Sequence, residues 1–507
     1  MEMELQYQTL EGYRLLLDTA LAQEETSESI VPDALPDVAR IVCAAGHAYL
    51  RGREAGAGTV RLSGSACVTV LYMPQGEDEV RSMEVEIPFQ CSKDSPQIRE
   101  DCAVCADVCL CRADASELNP RKLLLRVSLS FRLRVYAKEV QAVSCDVLCS
   151  AKSGVEKQIA QHTTYHISDL AEKAFVFSEV LRQPAAKPQM EQLLCCQILP
   201  GTAQGRAIGK KLVCKGSVPL LVLYRGEGEV LGAGFELPFS LIIDLEQPRD
   251  EAQVELSVCV TALQCSLQEG ELAVSVDALA QAAVWTQCAL SVLQDAYGTQ
   301  FPLDVSRRQL SLCPAAQWDS CRESARQFCE SGIPARQVLC CTAAVEAVEE
   351  RREEGRLCAA AQIRAQVLYC SEDSALCGVS CLLPLECEIP LPAECACLCR
   401  CDLVGEAAAV PVTGGLEVRC EAVFSWVTVR REETPCVSAL SQGSAAPDQE
   451  PKPSVTVRVV KPGETLWDVA KSCCASLKDI EAVNDLSQGE PAPGALLLIP
   501  VKRPAAT

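Results

Sequence analysis

The chain has 507 residues, with 68 acidic against 46 basic side chains and a net charge of −22. Such a surface argues against an extended nucleic-acid or anionic-membrane contact, since both need clustered Lys and Arg. With 49% apolar but only 4% aromatic residues, cores built from Val, Leu, Ala and Cys are expected, over roughly three to four domains.

At the amino terminus, residues 1–30 read as a leading helix, with Leu15, Leu16, Leu17 and Leu21 on an apolar stripe and an acidic end at Glu24-Glu25. Acidic residues stand where a secretory signal needs basic ones, and no run of about 18 apolar residues occurs, so neither a signal nor a transmembrane helix is expected. Action in the cytoplasm follows as the expectation.

Three related units come next, read as β-rich domains over 31–150, 160–292 and 295–435. Val60 to Phe89 recurs as Leu212 to Phe239, with Gly64, Tyr72, Pro88 and Phe89 answering to Gly216, Tyr224, Pro238 and Phe239. The spacing is 152 residues (216 − 64), and Pro32-x-x-x-Pro36 recurs as Pro184-x-x-x-Pro188 at that same spacing, which marks domain duplication rather than a short solenoid repeat. A weaker copy, Leu357 to Ile389, keeps Val367-Leu368-Tyr369 but has Ala361 in place of the Gly. Each copy alternates apolar and polar residues around a polar turn and predicts a hairpin. Leu123 to Tyr136 alternates in the same way, which places Arg126, Arg132 and Arg134 on the solvent face of a strand. A polar segment at Ser168-Asp169-Leu170-Ala171-Glu172 looks helical. The fold class expected is mainly β: three repeated sandwich- or barrel-like domains and a small carboxy-terminal βααβ domain.

The 33 cysteines are an odd number and cannot all pair internally. Cys395, Cys397, Cys399 and Cys401 alternate with period two, the wrong spacing for a zinc knuckle, and Cys102-x-x-Cys105 has no partner knuckle. The thiols therefore read as small hydrophobic residues, with later cross-linking as the second reading. No metal and no cofactor is expected. His47, His162 and His166 are the whole histidine supply, in no triad or ligand signature, and Gly205 to Lys211 resembles a phosphate loop but has one residue too few between its glycines. No catalytic residue is assigned.

Residues 437–454 turn to small residues, Pro and polar side chains, the composition of a flexible tether that would leave the last module free to reach a partner. In the module at 455–501, Val457 to Val460 reads as a strand, Thr465 caps a helix containing Trp467, a second helix carries Leu477, Ile480 and Val483, and Leu496 to Ile499 returns as a strand. GETLWDVA, Asn484-Asp485-Leu486 and the PG-x-x-L-x-IP close resemble a LysM domain, although Cys473-Cys474-Ala475 stands where that family commonly has a Gly-containing turn. The resemblance implies a groove for N-acetylglucosamine-containing glycan, with Gly463, Glu464, Thr465 and Leu466 on one side and Asn484, Asp485 and Leu486 on the other. Thr465 as a cap, Leu466 and Leu486 as core and Trp467 as packing are the competing structural roles.

The opening IVPDALPDVARIV, followed by G-x-x-x-x-x-V-L-Y and E-x-P-F, resembles the SPOCS domain, most closely in the first unit and least in the third. Tandem SPOCS-like units followed by one LysM resemble the spore coat assembly proteins of the SipL type in endospore-forming bacteria. That resemblance implies a non-enzymatic morphogenetic adaptor in coat and cortex assembly, in the mother cell at the forespore surface. Its LysM would contact an ATPase-type coat scaffold protein or peptidoglycan. The alternative is a cell-wall protein anchored on peptidoglycan with the repeats as spacers, and a third reading is a LysM-targeted hydrolase.

Overall fold

The computed structural model describes residues 3–77, 79–149, 154–183, 187–443, 454–484, 486 and 491–500. The first unit contains β1 (Glu4–Ile30), β2 (Val38–Gly56), β3 (Thr59–Pro74), β4 (Arg81–Asp94), β5 (Ala103–Asn119) and β6 (Lys122–Leu148). The second contains β7 (Val155–Leu181), β8 (Gln192–Ile198), β9 (Thr202–Ile208), β10 (Lys211–Gly226), β11 (Glu229–Asp244), β12 (Gln253–Gln268) and β13 (Glu271–Gly298). The third contains β14 (Leu303–Glu330), β15 (Ala335–Glu353), β16 (Arg356–Ser371), β17 (Leu376–Pro390), β18 (Cys395–Val412) and β19 (Gly415–Gln442). The last module is β20 (Val455–Val459), α1 (Leu466–Cys473), α2 (Leu477–Asn484) and β21 (Leu496–Pro500).

All three units are wired alike and antiparallel throughout. The first strand pairs with the last, the last pairs with the one before it, and the strands between form a separate meander: β1-β6-β5 over β2-β3-β4, and β14-β19-β18 over β15-β16-β17. In the second unit β7-β13-β12 faces β11-β10, with β8 and β9 both pairing β10 on either side of the break at Pro200-Gly201. One core fills the space between the two sheets of each unit, so each is a small sandwich.

The expected hairpins are β3-β4, β10-β11 and β16-β17, and the three copies explain one another. Tyr72, Tyr224 and Tyr369 are fully buried; the hydroxyls of the first two donate to the carbonyls of Pro36 and Pro188, each 36 residues upstream, and that of Tyr369 donates to the Ser331 carbonyl at 3.0 Å with Ile333, 36 residues upstream, at 3.4 Å. In the first two units the Pro-x-x-x-Pro entry and the Val-Leu-Tyr run are thus two ends of one part-buried hydrogen bond. Gly64 lies opposite Phe89 and Gly216 opposite Phe239, and a Cβ on either glycine would meet the phenyl ring at 2.6 Å and a backbone oxygen at 2.0 Å. In the third unit Leu385 replaces the Phe, and Ala361 replaces the Gly.

The leading helix expected over 1–30 is instead β1, a 27-residue strand in register with β6 along its whole length. Leu15 pairs with Tyr136 and Leu17 with Val135, so Leu16 is the extra residue of a bulge. A run of three consecutive leucines is absorbed that way, and alternation resumes on both sides. The helix-like segment at Ser168 likewise belongs to β7, with Ser168 the unpaired residue between Ile167 and Asp169. Because the first strands pair with the last, the units begin at Glu4 and Val155, ahead of the boundaries expected at 31 and 160. Residues 437–442, expected in the tether, end β19, and 444–453 lie outside the described residues.

The three sandwiches meet at one apolar cluster. Equivalent positions converge there: Val42 with Leu194, Leu71 with Leu223 and Leu368, and Cys43 with Cys195 and Cys340 share one apolar cluster. The ends of the long strands continue this packing through Val143, Leu290, Leu310 and Cys436, then Val147, Leu293 and Val437. A single bridge, Tyr13 to Ile167, joins the first and second units into a six-stranded sheet.

Candidate binding site

Between the three sandwiches lies a chamber of about 690 Å³, walled by β2, β5 and β6 of the first unit, β8, β9 and β12 of the second, and β15 and β18 of the third. Its charges are compensated both within units and across their boundaries. Arg134 donates to Asp18 at 3.1 Å and to Glu255 at 2.6 Å, and Arg132 donates to Asp402 at 3.3 Å, where Arg400 also binds. Arg132 and Arg134, expected on a solvent face, are therefore inter-unit ties. Burial raises the Asp107 carboxyl, and burial together with the Asp18 charge raises Glu350. His47 is lowered to about 4 by burial and is neutral at physiological pH. The thiols in the wall are pushed up by burial, Cys105 to about 11 and Cys397 and Cys401 to about 12, so they stay protonated and weakly nucleophilic. Among the described residues no group of three or more His, Cys, Asp or Glu is placed to hold a metal ion. The chamber's chemistry is that of an interlock.

The last module folds as the βααβ unit expected. Thr465 is the α1 N-cap, its hydroxyl accepting from the Asp468 N–H at 3.2 Å while the Asp468 carboxylate accepts from the Thr465 N–H at 3.0 Å, a complete capping box. Cys474 takes the left-handed cap position (φ 51°) where a Gly is commonest, and Ala475 N–H closes the turn on the Ala470 carbonyl.

The groove residues behave very differently from one another. Gly463 has φ 79° in the Lys461–Glu464 turn, and a Cβ placed there would have no atom within 4 Å, so that side of the groove is open backbone. Glu464 is turned inward: its carboxylate accepts from the Lys461 N–H and from Arg458, and the Lys461 N–H foremost, with the Arg458 charge, holds it below the ordinary carboxylate range. Asn484 is committed to the fold, its Oδ1 accepting from Leu498 N–H at 2.7 Å and its Nδ2 donating to the Leu498 and Ile480 carbonyls. Leu466 is buried and Leu486 packs against the same core. Asp485 lies outside the described residues. Glu464 and Asn484, facing each other across the groove in the family pattern, thus spend their side chains on the module itself.

Two features of this module escape sequence reasoning. Trp467 is 9% exposed and leaves its own domain to pack edge-on against Tyr297 of β13, with ring centroids 4.9 Å apart. Its indole N–H donates to Asp295 at 2.9 Å, Lys471 binds that same carboxylate, and the Tyr297 hydroxyl donates to the Ala475 carbonyl at 2.8 Å. The module is therefore docked on the second unit rather than free on a tether. The second feature is an apolar ladder. Val457 faces Leu498 and Val459 faces Leu496, with Val455 continuing the row, and these five side chains are 42–68% exposed while Leu497 and Ile499 on the other face are buried. The V-x-V-x-V alternation was the available signal for it.

Comparison with known protein families agrees with this organisation. A SipL SPOCS domain model matches residues 37–116 and a LysM domain model matches residues 459–500. The chain thus carries a SPOCS domain and a carboxy-terminal LysM domain, both binding modules, and this pairing fits a sporulation-related protein with a carbohydrate-binding module. No curated protein and no solved structure matches the chain. No helix among the described residues is long and apolar enough to cross a membrane.

Proposed function

We propose that the chain is a non-enzymatic adaptor in endospore coat and cortex assembly, acting in the mother cell at the forespore surface. The three sandwiches form its rigid body, and the LysM module contacts an ATPase-type coat scaffold protein. The observation that carries this reading is the ladder of Val455, Val457, Val459, Leu496 and Leu498, an exposed apolar row on a small domain. Rows of this kind mark protein contacts, because water is expelled from them at little cost in lost hydrogen bonds. The condition of the groove points the same way, since Glu464 and Asn484 are satisfied internally and offer little to a glycan's hydroxyls. Peptidoglycan remains the alternative ligand because the LysM match itself favours it.

The test uses the full chain and two variants, Val457→Glu with Leu498→Glu on the ladder and Gly463→Val on the groove. Each is assayed for co-purification with the coat scaffold ATPase and for sedimentation with purified peptidoglycan. Loss of scaffold binding in the ladder variant alone is the expected result. Peptidoglycan sedimentation that depends on Gly463, with no scaffold bound by the parent chain, would replace the adaptor with a wall-anchored spacer.

A further inference from the structure

The apolar ladder of the LysM module coincides with an open sheet edge. β20 and β21 form a two-stranded sheet, so each strand has one outer edge. On β21 that edge is closed by a side chain: the Asn484 Oδ1 accepts from the Leu498 N–H and its Nδ2 donates to the Leu498 carbonyl, both at 2.7 Å. The Leu498 backbone groups therefore point away from β20. Residues opposite one another in an antiparallel pair exchange both hydrogen bonds or neither. Val457, opposite Leu498, thus also sends its N–H and carbonyl outward, away from β21. With the period of two, Val455 and Val459 do the same. The alternate positions face inward, as Val460 shows by donating to the Ala495 carbonyl at 3.0 Å and accepting from the Gly494 N–H at 2.9 Å. Among the described residues none bonds to the outward groups of Val457 or Val459.

The same three valines carry the exposed ladder, so apolar surface and unpaired backbone run side by side along β20. Elsewhere the chain covers such groups: the buried Gln281 amide reaches across from β13 and takes both the N–H and the carbonyl of Ala106 in β5, at 3.0 and 2.9 Å. Side-chain amides thus stand in for a strand at β5 and β21, whereas β20 is left open. An open edge beside an apolar row is a template for another strand. A helix or a glycan laid on the ladder would leave the outward groups to water; an added strand both satisfies them and prolongs the row. The charge beyond the edge is positive. Glu464, the carboxylate of the following turn, is taken by Arg458, which leaves the exposed Lys461 without a salt bridge among the described residues.

The geometry points to strand addition on β20: an extended segment of the partner protein, with aliphatic side chains at alternate positions and an acidic residue beside Lys461, pairs with the outer edge of Val455–Val459. This deepens the reading of the module as the contact for a coat scaffold protein and rests on it. The segment adds a third strand to β21-β20, its backbone bonding Val457 and Val459 and its apolar side chains extending the row of Val457 and Leu498. Register follows from the alternation, since a slip by one residue turns the segment's apolar side chains to the other face.

The test uses the full chain. Val457→Pro removes the outward N–H but keeps the bonds between β20 and β21, because proline is tolerated where the N–H faces solvent, and Val457→Leu keeps both the N–H and the apolar surface. Val457→Pro should bind the coat scaffold ATPase roughly tenfold more weakly than the parent, and Val457→Leu close to it. Lys461→Glu should weaken binding at low salt and less so at high salt. Residue-resolved hydrogen exchange of the complex should show the Val457 and Val459 amides slowed, with Thr456 and Arg458, already paired with β21, unchanged. A short soluble peptide of alternating Val and Thr with a terminal Glu, at saturating concentration, should slow the same two amides without the scaffold. Exchange needs only the parent chain, so it decides the matter even where Val457→Pro lowers the module's own thermal stability. If the parent binds no scaffold but the peptide protects the edge, the scaffold reading fails and strand addition stands. Equal scaffold binding by Val457→Pro and the parent, a scaffold complex in which neither amide slows, or no protection by scaffold or peptide would each overturn the proposal.

Discussion

Asp295 decides whether the LysM module stays on the body. Its Oδ2 accepts from the Trp467 indole at 2.9 Å and from Lys471, while its Oδ1 accepts from Arg307 and from the Ala296 N–H at 2.8 Å. Burial works to raise this carboxyl, but the donors outweigh it and hold Asp295 below its ordinary value. Changing Asp295 to Ala leaves a buried indole N–H without an acceptor and two cations without their carboxylate. Full removal of one partner of a buried ion pair costs about 3–5 kcal/mol. Lys471 and Arg307 are 35% and 38% exposed and recover part of their hydration, so about 2–3 kcal/mol of docking should be lost, a figure nearer that of charge-assisted hydrogen bonds. That raises the undocked population roughly 30- to 150-fold. The assay is hydrogen exchange of the amides of residues 295–298 and 466–475, which open together when the module lifts. Trp467→Phe removes only the indole donor and should give a smaller change of the same pattern. Unchanged protection in Asp295→Ala would refute the docking role of this carboxylate. Because the folded carboxyl is depressed, its contribution is present above the ordinary Asp value of about 4 and is lost as pH falls below it. Protection in the parent chain should therefore be constant from pH 7 to 5 and fall in more acidic buffer.

Three further outcomes follow from the packing. Gly216→Ala places a Cβ against Phe239 and the Thr202 carbonyl and should destabilise the second unit by about 1–3 kcal/mol in urea unfolding, with Phe239→Leu recovering part of the loss. Tyr224→Phe removes the hydroxyl that donates to the Pro188 carbonyl and should cost about 0.5–1.5 kcal/mol. Cys474→Gly relieves a left-handed non-glycine cap and should stabilise the LysM module by about 1 kcal/mol in thermal unfolding.

The duplication, the hairpins and the βααβ module were legible in the chain because they rest on local chemistry. A 152-residue register, period-two alternation and a Thr-x-x-Asp cap each report a constraint acting within a few residues or repeated verbatim. The Gly-to-Phe pairing was present in the motifs, but its reason, a ring lying across the glycine, appears only when the two strands are laid side by side. The amino terminus shows the opposite case. Leu15, Leu16, Leu17 and Leu21 read as an apolar helical stripe, and only pairing with residues 122–148 makes them strand, with Leu16 displaced into a bulge.

The site divides along the same line. The expected groove residues come from two short family-like segments, 463–466 and 484–486, and sequence could not show that Glu464 and Asn484 are consumed by Arg458 and Leu498. Docking on Asp295 joins residues 172 apart, and the chamber joins three units whose arginines look like ordinary solvent-facing strand residues. Alternation specifies which face of a strand is apolar, and a repeat specifies that a unit recurs. Neither specifies which unit lies opposite, because the free energy of that choice resides in contacts between residues more than a hundred positions apart, and these exist only once the three sandwiches have packed against one another.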